Sequence, residues 1–289
     1  MTLNITYLNS FIEGFTRDSV VKLVKLQDQL VERQEQQQIL DWLTPIDYSV
    51  QQSDVIRRRQ AGTGQWLLHS PEYQRWLAKE KEILFCPGIP GAGKTILTST
   101  VIDNLCELYR TDQSAGICYI FFNFQRNSEQ HLEDLIASLL RQLGQTRPDL
   151  FGSVKLLYDR HKKRQTRSSL DELCPALYSV VTGYSRTFVV IDALDECQTS
   201  DNCRSRFISE LLNLWSRLGV NIFTTSRFIP EITTRFEGAT AIVKEIRASD
   251  YDIGKFLDSN LPYFPGFVSR DITLQAEIKQ DIVQCVDGM

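Results

Sequence analysis

Short apolar runs alternate along this chain with longer segments whose apolar residues recur every three or four positions. Short runs without strict polar alternation are typical of strands buried on both faces, and the periodic segments are typical of amphipathic helices. This alternation predicts an α/β fold with a mainly parallel sheet between helical layers. The five predicted strands lie at 82–87, 116–124, 187–192, 220–227 and 241–246.

Helical spacing between the predicted strands is accompanied by capping signals. A strong apolar stripe predicts a helix over 129–143, with Asn127 at a capping position and Gly144 at its end. After the last predicted strand, Ser249 and Asp252 have the spacing of a capping box, in which each residue bonds to the other's backbone. Helical segments therefore separate the strands and also follow them.

The N-terminal segment also has helical spacing, with a polar gap at 33–38. A coiled coil needs three or four continuous heptads, which this segment lacks. We therefore favour an amphipathic helix that packs on the core or once joined an upstream domain, and an oligomerising coil is the alternative. Residues 47–61 have the composition of a polar connection, and 62–68 open a helix whose nearby Trp residues are expected to be core. The apolar residues that define the N-terminal stripe are Val20, Leu23, Val24, Leu30 and Val31.

The predicted elements divide the chain into four parts. An N-terminal helical segment (1–45) and a helical linker (46–80) precede an α/β core (81–247). Residues 248–289 are expected to begin a helical subdomain that is cut short. At 289 residues the chain is long enough for one such core with helical additions.

The composition of the chain indicates which kinds of partner and which cellular compartment are expected. The hydrophobic fraction is 42%, the formal net charge is −4 and the sequence pI is about 5.5, so the chain lacks the basic footprint of a nucleic-acid-binding protein. No apolar run is long enough to span a membrane. Seven cysteines, with no C-x-x-C pair, indicate reduced thiols and a cytoplasmic location.

The stretch GIPGAGKT, at 88–95, matches the P-loop pattern G-x-x-x-x-G-K-[ST]. Its glycines allow backbone N–H groups to turn around phosphate oxygens, and the helix that follows directs its N-terminal dipole at the anion. Lys94 is predicted to reach the β and γ phosphates and Thr95 to ligate Mg²⁺. The predicted nucleotide-binding residues are Gly88, Gly91, Ala92, Gly93, Lys94, Thr95 and Ile96.

Acidic residues follow the apolar run of TFVVIDALDEC, at 187–197. Asp192 ends the predicted strand, where ligands bind in parallel α/β sheets, and is the predicted Walker B residue for Mg²⁺. Asp195 and Glu196 lie about one turn further on, where a carboxylate can orient or deprotonate the water that attacks the γ phosphate. The sequence leaves open which of the two does so.

Arg227 ends a third apolar run, VNIFTTSR, at 220–227. A guanidinium at a strand end can pair with a terminal phosphate, so Arg227 is a candidate γ-phosphate sensor. The alternative is a surface ion pair, which is the commoner role of an arginine after a strand.

These motifs, in this order, resemble the NACHT family of signal-transduction P-loop NTPases, and more closely the fungal NACHT and nephrocystin-like proteins that often carry ankyrin or WD repeats. The resemblance extends from about residue 38 to the C-terminus and includes QQSDVIRRRQAGTGQWLLHSPEYQRWL and NIFTTSRFIPEI. It implies a three-layer α/β/α P-loop fold with the Arg227 strand between the P-loop and Walker B strands. It also implies a switch, controlled by ATP or GTP with Mg²⁺, that governs self-association and signalling with other protein domains. In related switches a segment just before the P-loop strand caps the base, which makes Gly64 and Gln65 candidates for that role; the favoured alternative is that this segment is simply core. The family's winged-helix region, C-terminal repeats and an N-terminal effector are expected to be absent from this chain.

Three classes of function are consistent with the sequence. The favoured class is a NACHT-type switch with slow Mg-dependent hydrolysis of ATP or GTP. The alternatives are a non-hydrolysing nucleotide-binding or interaction module, and another P-loop enzyme such as a kinase or an AAA-type ATPase. No N-K-x-D sequence that would read guanine occurs, which favours ATP. We expect neither nucleic acid nor a membrane as a partner.

Overall fold

Helices precede, separate and follow the strands in the part of the chain that this computed structural model describes, residues 5–125, 130–163 and 166–287. The N-terminal helices are α1 (Ile5–Leu43), α2 (Tyr48–Arg58), α3 (Gln65–Leu68) and α4 (Pro71–Ala78). The core then runs through β1 (Ile83–Pro87), α5 (Lys94–Leu108), β2 (Ala115–Phe121), α6 (Leu132–Thr146), α7 (Gly152–His161), α8 (Leu170–Val181), β3 (Arg186–Asp192), α9 (Cys203–Leu218), β4 (Asn221–Ser226), α10 (Pro230–Gly238) and β5 (Ile242–Val243). It is followed by α11 (Asp250–Asn260), α12 (Gly266–Ser269) and α13 (Ile272–Asp287).

The five strands form one parallel sheet in the order β2-β3-β4-β1-β5. The strand that precedes Arg227, β4, therefore lies between β1 and β3, as the family resemblance implied. The carboxyl ends of β1, β3 and β4 meet at one edge of the sheet. This arrangement brings the P-loop, the acidic residues after β3 and Arg227 to the same place.

Helices cover both faces of the sheet. Phe188 on β3 meets the ring of Tyr109, just after α5, at 5.3 Å between centroids. Gly116 pairs in register with Thr187, the neighbour of Phe188, and a Cβ at Gly116 would lie 2.9 Å from Leu143 of α6. Because successive residues of a strand point to opposite faces, α5 and α6 lie on opposite sides. The fold is the predicted three-layer α/β/α arrangement.

The outer strand β2 is held by a side chain of α6. Gln142 accepts a hydrogen bond from the Tyr119 backbone N–H at 3.0 Å and donates one to the Tyr119 carbonyl at 2.8 Å. The amide therefore satisfies both backbone groups of one residue on the side of β2 where no other described strand pairs with it.

Tyr73 and Trp76 are core residues, which favours the core interpretation of the aromatic residues ahead of β1. Both side chains are buried, and the Trp76 indole N–H donates to the Ile222 carbonyl at 2.9 Å. Trp66 is only partly buried. Trp76 also meets Phe188 and Phe223 edge-on, so α4 packs against β3 and β4.

The N-terminal helix differs from the prediction in length and packing. α1 continues through the polar residues at 33–38 without a break. From Ser19 onward, where the structure describes the burial of α1, Ile39 and Leu40 are buried, whereas the predicted stripe is exposed at Val20, Leu23, Val24, Leu30 and Val31. Arg141 of α6 holds the C-terminal end of α1 by donating to the carbonyls of Leu40 and Thr44. In the described residues, no helix is both long enough and apolar enough to cross a membrane.

Three other local predictions need correction. Residues 47–61 are not a polar connection but contain α2, which Asp47 caps and which contacts α5 through Gln52. The helix predicted at 129–143 is α6, which passes through Gly144; Asn127 lies outside the described residues. The last strand, predicted at 241–246, is shorter and pairs with β1 at Ile242 and Val243, although the N–H groups of Lys244 and Ile246 still donate to the carbonyls of Phe85 and Pro87.

Candidate functional site

The P-loop connects β1 to α5, and two of its glycines have a backbone that favours glycine. Gly91 has φ +82° and Gly93 has φ +84°, and a Cβ at either position would meet nothing within 4 Å. Gly93 is the N-cap of α5, so the helix begins at Lys94 as the motif predicts. The loop therefore presents open space at the N-terminus of a 15-residue helix, which suits an anion.

The other loop residues support this turn. Ala92 is buried, and its N–H donates to the Ile89 carbonyl at 3.3 Å. Ile96 lies in the first turn of α5, where its carbonyl accepts from Thr100. Gly88 has a steric role: a Cβ there would lie 2.6 Å from the carbonyl oxygen of Ile246. Gly88 therefore permits the close approach of the chain after β5.

The side chain of Lys94 folds back onto the P-loop that precedes it. Its ammonium donates to the carbonyls of Gly88 at 2.9 Å and Ile89 at 2.8 Å. Burial lowers the pKa of Lys94, and the carboxylates of Asp195 and Asp192 oppose this by favouring its charged form. A cation is thus held beside the open space of the loop.

Asp192 is the centre of a hydroxyl network at the end of β3. Its Oδ2 accepts from Thr95 at 2.7 Å, and its Oδ1 accepts from Thr98 and Thr225, each at 2.8 Å. The carboxyl is 2% exposed, and burial raises its pKa, an effect that these three hydrogen bonds oppose. The structure thus brings the two predicted magnesium residues, Thr95 and Asp192, into contact.

Asp195 and Arg227 form an ion pair between the ends of β3 and β4. The Arg227 backbone N–H donates to Asp195 Oδ1 at 2.8 Å, and its guanidinium Nε donates to Oδ2. The Asp195 side chain is 2% exposed and that of Arg227 is 51% exposed. The hydrogen bond and charge of Asp195 raise the pKa of Arg227. The candidate sensor, Arg227, is therefore bonded to Asp195, one of the two candidates for the water-activating acid.

Glu196 is less constrained than Asp195. Its Oε2 accepts from the Phe124 backbone N–H at 3.1 Å, after β2. Burial raises the pKa of Glu196, although the Phe124 hydrogen bond opposes this, and the charges of Asp195 and Asp192 add to the increase. Glu196 therefore faces the same edge of the sheet from the side of β2.

Sequence reasoning missed the residues that hold Asp192 in place. The Thr225 hydroxyl donates a hydrogen bond to Asp192 and accepts one from the Ala193 backbone N–H at 2.9 Å. Ala193 has φ +52°, so the chain turns sharply directly after β3. The adjacent threonines in NIFTTSR were the available signal, because hydroxyls inside an apolar run need a buried partner.

The family model described as Nephrocystin 3, N-terminal matches residues 62–227. This chain belongs to that family. The matched residues contain every part of the site described above, from Gly88 to Arg227. The Nephrocystin 3, N-terminal domain of this chain is a NACHT-type P-loop NTPase domain, as the motifs indicated.

A curated relative of this Nephrocystin 3, N-terminal domain is the vegetative incompatibility protein HET-E-1 of Podospora anserina. The two are 27% identical over 185 residues, which are 61% of this chain and 13% of HET-E-1. The chain thus spans only a small part of the length of that relative.

Solved structures with a similar fold share little sequence with this Nephrocystin 3, N-terminal domain. The Aeropyrum pernix Orc1 protein in complex with DNA is 15% identical, with 72% of this chain and 55% of that chain covered and a TM-score of 0.42. AMPPCP-bound DnaA from Aquifex aeolicus is also 15% identical, with 72% and 54% covered and a TM-score of 0.39. Nothing about function follows from either likeness.

Proposed function

We propose that this domain binds a nucleoside triphosphate with Mg²⁺ at the P-loop and hydrolyses it slowly, as the switch of a signal-transduction protein. The observation that carries the proposal is the 2.7 Å hydrogen bond between Thr95 Oγ1 and Asp192 Oδ2, in which Thr95 directly follows Lys94. It joins the hydroxyl of the P-loop to the carboxylate of the neighbouring Walker B segment, which is the donor set that magnesium nucleotides use.

The residues present suit the proposed ligands. Mg²⁺ prefers hard oxygen donors and keeps several waters, and one hydroxyl with one carboxylate meets that preference. Gly91 and Gly93 leave room for phosphate at the start of α5, and Lys94 supplies a positive charge within reach of the loop. Bound Mg²⁺ would neutralise charge that develops on the phosphate oxygens during transfer.

Two side chains are proposed to act on the terminal phosphate. Arg227 is exposed enough to turn from Asp195 toward an anion, which supports a sensor role. Glu196 is the better candidate for orienting the attacking water, because both oxygens of Asp195 already accept from Arg227. Asp195 is then a positioning residue for Arg227. A raised pKa suits a general base that must accept a proton near neutral pH.

A second candidate is a nucleotide-binding module without hydrolysis. It is favoured by the same ion pair, since Arg227 and Asp195 satisfy each other and Glu196 accepts from Phe124. If this arrangement persisted with nucleotide bound, no carboxylate would be free to activate water. Measured turnover distinguishes the two candidates.

The wider role is proposed from the family and the relative. The NACHT-type domain suggests control of self-association or of other protein domains, and HET-E-1 suggests a vegetative incompatibility role in a longer fungal protein. ATP is the proposed nucleotide, because no guanine-reading sequence occurs. An intracellular location is proposed from the cysteines, of which Cys86, Cys106, Cys118, Cys174, Cys197 and Cys203 are free thiols.

The test is thermal unfolding with and without Mg-ATP or Mg-GTP. Nucleotide at a hundred times its Kd adds about 2.7 kcal/mol, or about 5 to 10 °C for a domain of this size. Lys94→Ala is expected to lose the shift, and the exposed Lys79→Ala is the matched control that keeps it. An equal shift in Lys94→Ala, or no shift in the unaltered chain, would contradict the proposal.

A further inference from the structure

Asp252 joins the C-terminal helices to the segment just ahead of α4. Its Oδ2 accepts from the Gly64 backbone N–H and from the Trp66 indole N–H, each at 3.1 Å and across 188 and 186 residues of sequence. Asp252 lies in the first turn of α11, which Ser249 caps. The carboxylate therefore does not complete the predicted capping box and instead contacts a distant part of the chain.

The segment that Asp252 holds packs on the P-loop helix. Gly64 has φ +75°, and a Cβ there would lie 2.9 Å from Leu97 Cδ2 and 3.5 Å from Thr100 Oγ1. Leu97 lies in the first turn of α5, where its N–H donates to the Gly93 carbonyl at 3.0 Å. Gly64 is therefore in contact with the same two turns that begin at Lys94.

Tyr251 lies near the same segment. A Cβ at Gly62, which has φ +85°, would lie 3.8 Å from the Tyr251 hydroxyl. The first turn of α11 is thus close to residues 62–66, and Gly64 of that segment is close to the beginning of α5. Asp252 itself lies beyond the family match, which ends at residue 227.

We infer that Asp252 is a positioning residue that couples the docking of α11 to nucleotide binding at the P-loop. The inference rests on the proposed nucleotide-binding function. The contacts run from α11 through residues 62–66 to the N-terminus of α5, whose backbone holds the phosphate in that proposal. Because coupling between two binding events is reciprocal, nucleotide stabilises the docked position of α11 by the factor with which docking strengthens nucleotide binding.

Three variants separate this coupling from a general loss of structure. Asp252→Ala removes the acceptor, and Trp66→Phe removes one donor while keeping an aromatic ring. Asp250→Ala is the matched control, because Asp250 is an exposed carboxylate in the same turn of α11. We expect the Kd for Mg-ATP to rise about tenfold in Asp252→Ala, about threefold in Trp66→Phe and less than about twofold in Asp250→Ala. Trp66→Phe should have no further effect in the Asp252→Ala background.

Hydrogen exchange of the whole chain supplies a second readout. In the unaltered chain, saturating Mg-ATP should slow exchange both in the P-loop, at 88–98, and in α11. In Asp252→Ala the P-loop should still be protected by nucleotide, whereas the additional protection of α11 should be lost. This pattern does not depend on how much the variant is destabilised, since each variant is compared with itself.

The outcomes distinguish this inference from the function on which it rests. P-loop protection without α11 protection, together with an unchanged Kd in Asp252→Ala, would overturn the coupling and leave the nucleotide site intact. Equal losses in Asp252→Ala and Asp250→Ala would also overturn it, because the effect would then be one of charge at the helix end. Absence of P-loop protection in the unaltered chain, tested with Mg-ATP and Mg-GTP, would overturn both.

Discussion

Arg227 and Asp195 bond to each other twice, through the backbone N–H and the guanidinium of the arginine. The two residues follow different strands, β4 and β3, so the pair fastens the ends of two neighbouring strands at the proposed catalytic edge. The carboxylate is buried, so the loss of water around it must be offset by charge, and the bonded Arg227 is the cation in direct contact with it.

Removal of the arginine should therefore destabilise the domain. Arg227→Ala leaves a buried carboxylate without its cation, and we expect a loss of about 1–3 kcal/mol in the free energy of unfolding, or several degrees in Tm. Adding Asp195→Asn should cost less than the sum of the two single changes. Arg110→Ala, which breaks a solvent-exposed pair with Glu107, is the control and should change stability by less than about 0.5 kcal/mol. Equal effects at Arg227 and Arg110 would refute the role of the pair.

The two carboxylates should differ in their effect on turnover. Glu196→Gln removes the proposed water-orienting group, so hydrolysis of Mg-ATP should fall by about 10²-fold or more, with little change in nucleotide affinity. Asp195→Asn should have a smaller effect, because it acts through the position of Arg227. Single-turnover rates with parallel binding measurements make the comparison. A larger loss in Asp195→Asn would reverse the assignment.

Two adjacent threonines of β4 provide a matched comparison. Thr224 and Thr225 are both fully buried, but Thr225 bonds to Asp192 and Ala193, whereas the Thr224 hydroxyl has no hydrogen-bond partner among the described residues. Valine has nearly the same shape as threonine. We expect Thr225→Val to cost about 1–3 kcal/mol, because it leaves buried polar groups unsatisfied, and Thr224→Val to be neutral or stabilising. Chemical denaturation measures both, and similar values would contradict the network.

The stability contributed by Asp47 should depend on pH. Its side chain accepts from the Ser49 N–H at the start of α2, and hydrogen bonding to Ser49, through the side chain first and then this N–H, lowers the pKa of Asp47 below its usual value. The folded state then binds fewer protons than the unfolded state as pH falls through that range, so this contribution is full above the unfolded pKa and is lost at lower pH.

At pH 7, Asp47→Ala should cost about 1 kcal/mol, a typical value for loss of a helix cap. Asp47→Asn keeps a good cap that does not titrate, so the unaltered chain should lose stability relative to Asp47→Asn as pH falls below about 5. Urea denaturation of the three proteins at several pH values tests this. A difference that is constant with pH would show that the carboxylate of Asp47 is not linked to folding.

Local chemistry explains which parts of the site were predictable from sequence. The P-loop pattern specifies glycines, a helix start and a lysine within eight residues, and in the structure Gly93 caps a helix that begins at Lys94, as that pattern requires. The signal for the buried strand that ends at Asp192 was equally local, since an apolar run without alternation indicates a strand covered on both faces.

Long-range contacts explain the parts that were missed. α2 has few apolar residues and is held by contacts such as that of Gln52 with the Ser99 carbonyl, so its own pattern resembled a connection. Asp252 had the spacing of a capping residue, but its carboxylate accepts hydrogen bonds from two donors that are 186 and 188 residues away in sequence. The pairing of Asp195 with Arg227 likewise depends on β3 lying beside β4, which no single segment encodes.

The two hydrogen bonds between Gln142 and Tyr119 also affect whether another molecule can pair with the sheet. An outermost strand with free N–H and carbonyl groups can recruit a strand from another chain, which is a common route to aggregation. On β2 the amide of Gln142 occupies both groups of Tyr119 in the middle of the strand, and α6 lies against the same strand. A foreign strand would have to displace this side chain before it could pair there, so the sheet is protected against extension at β2.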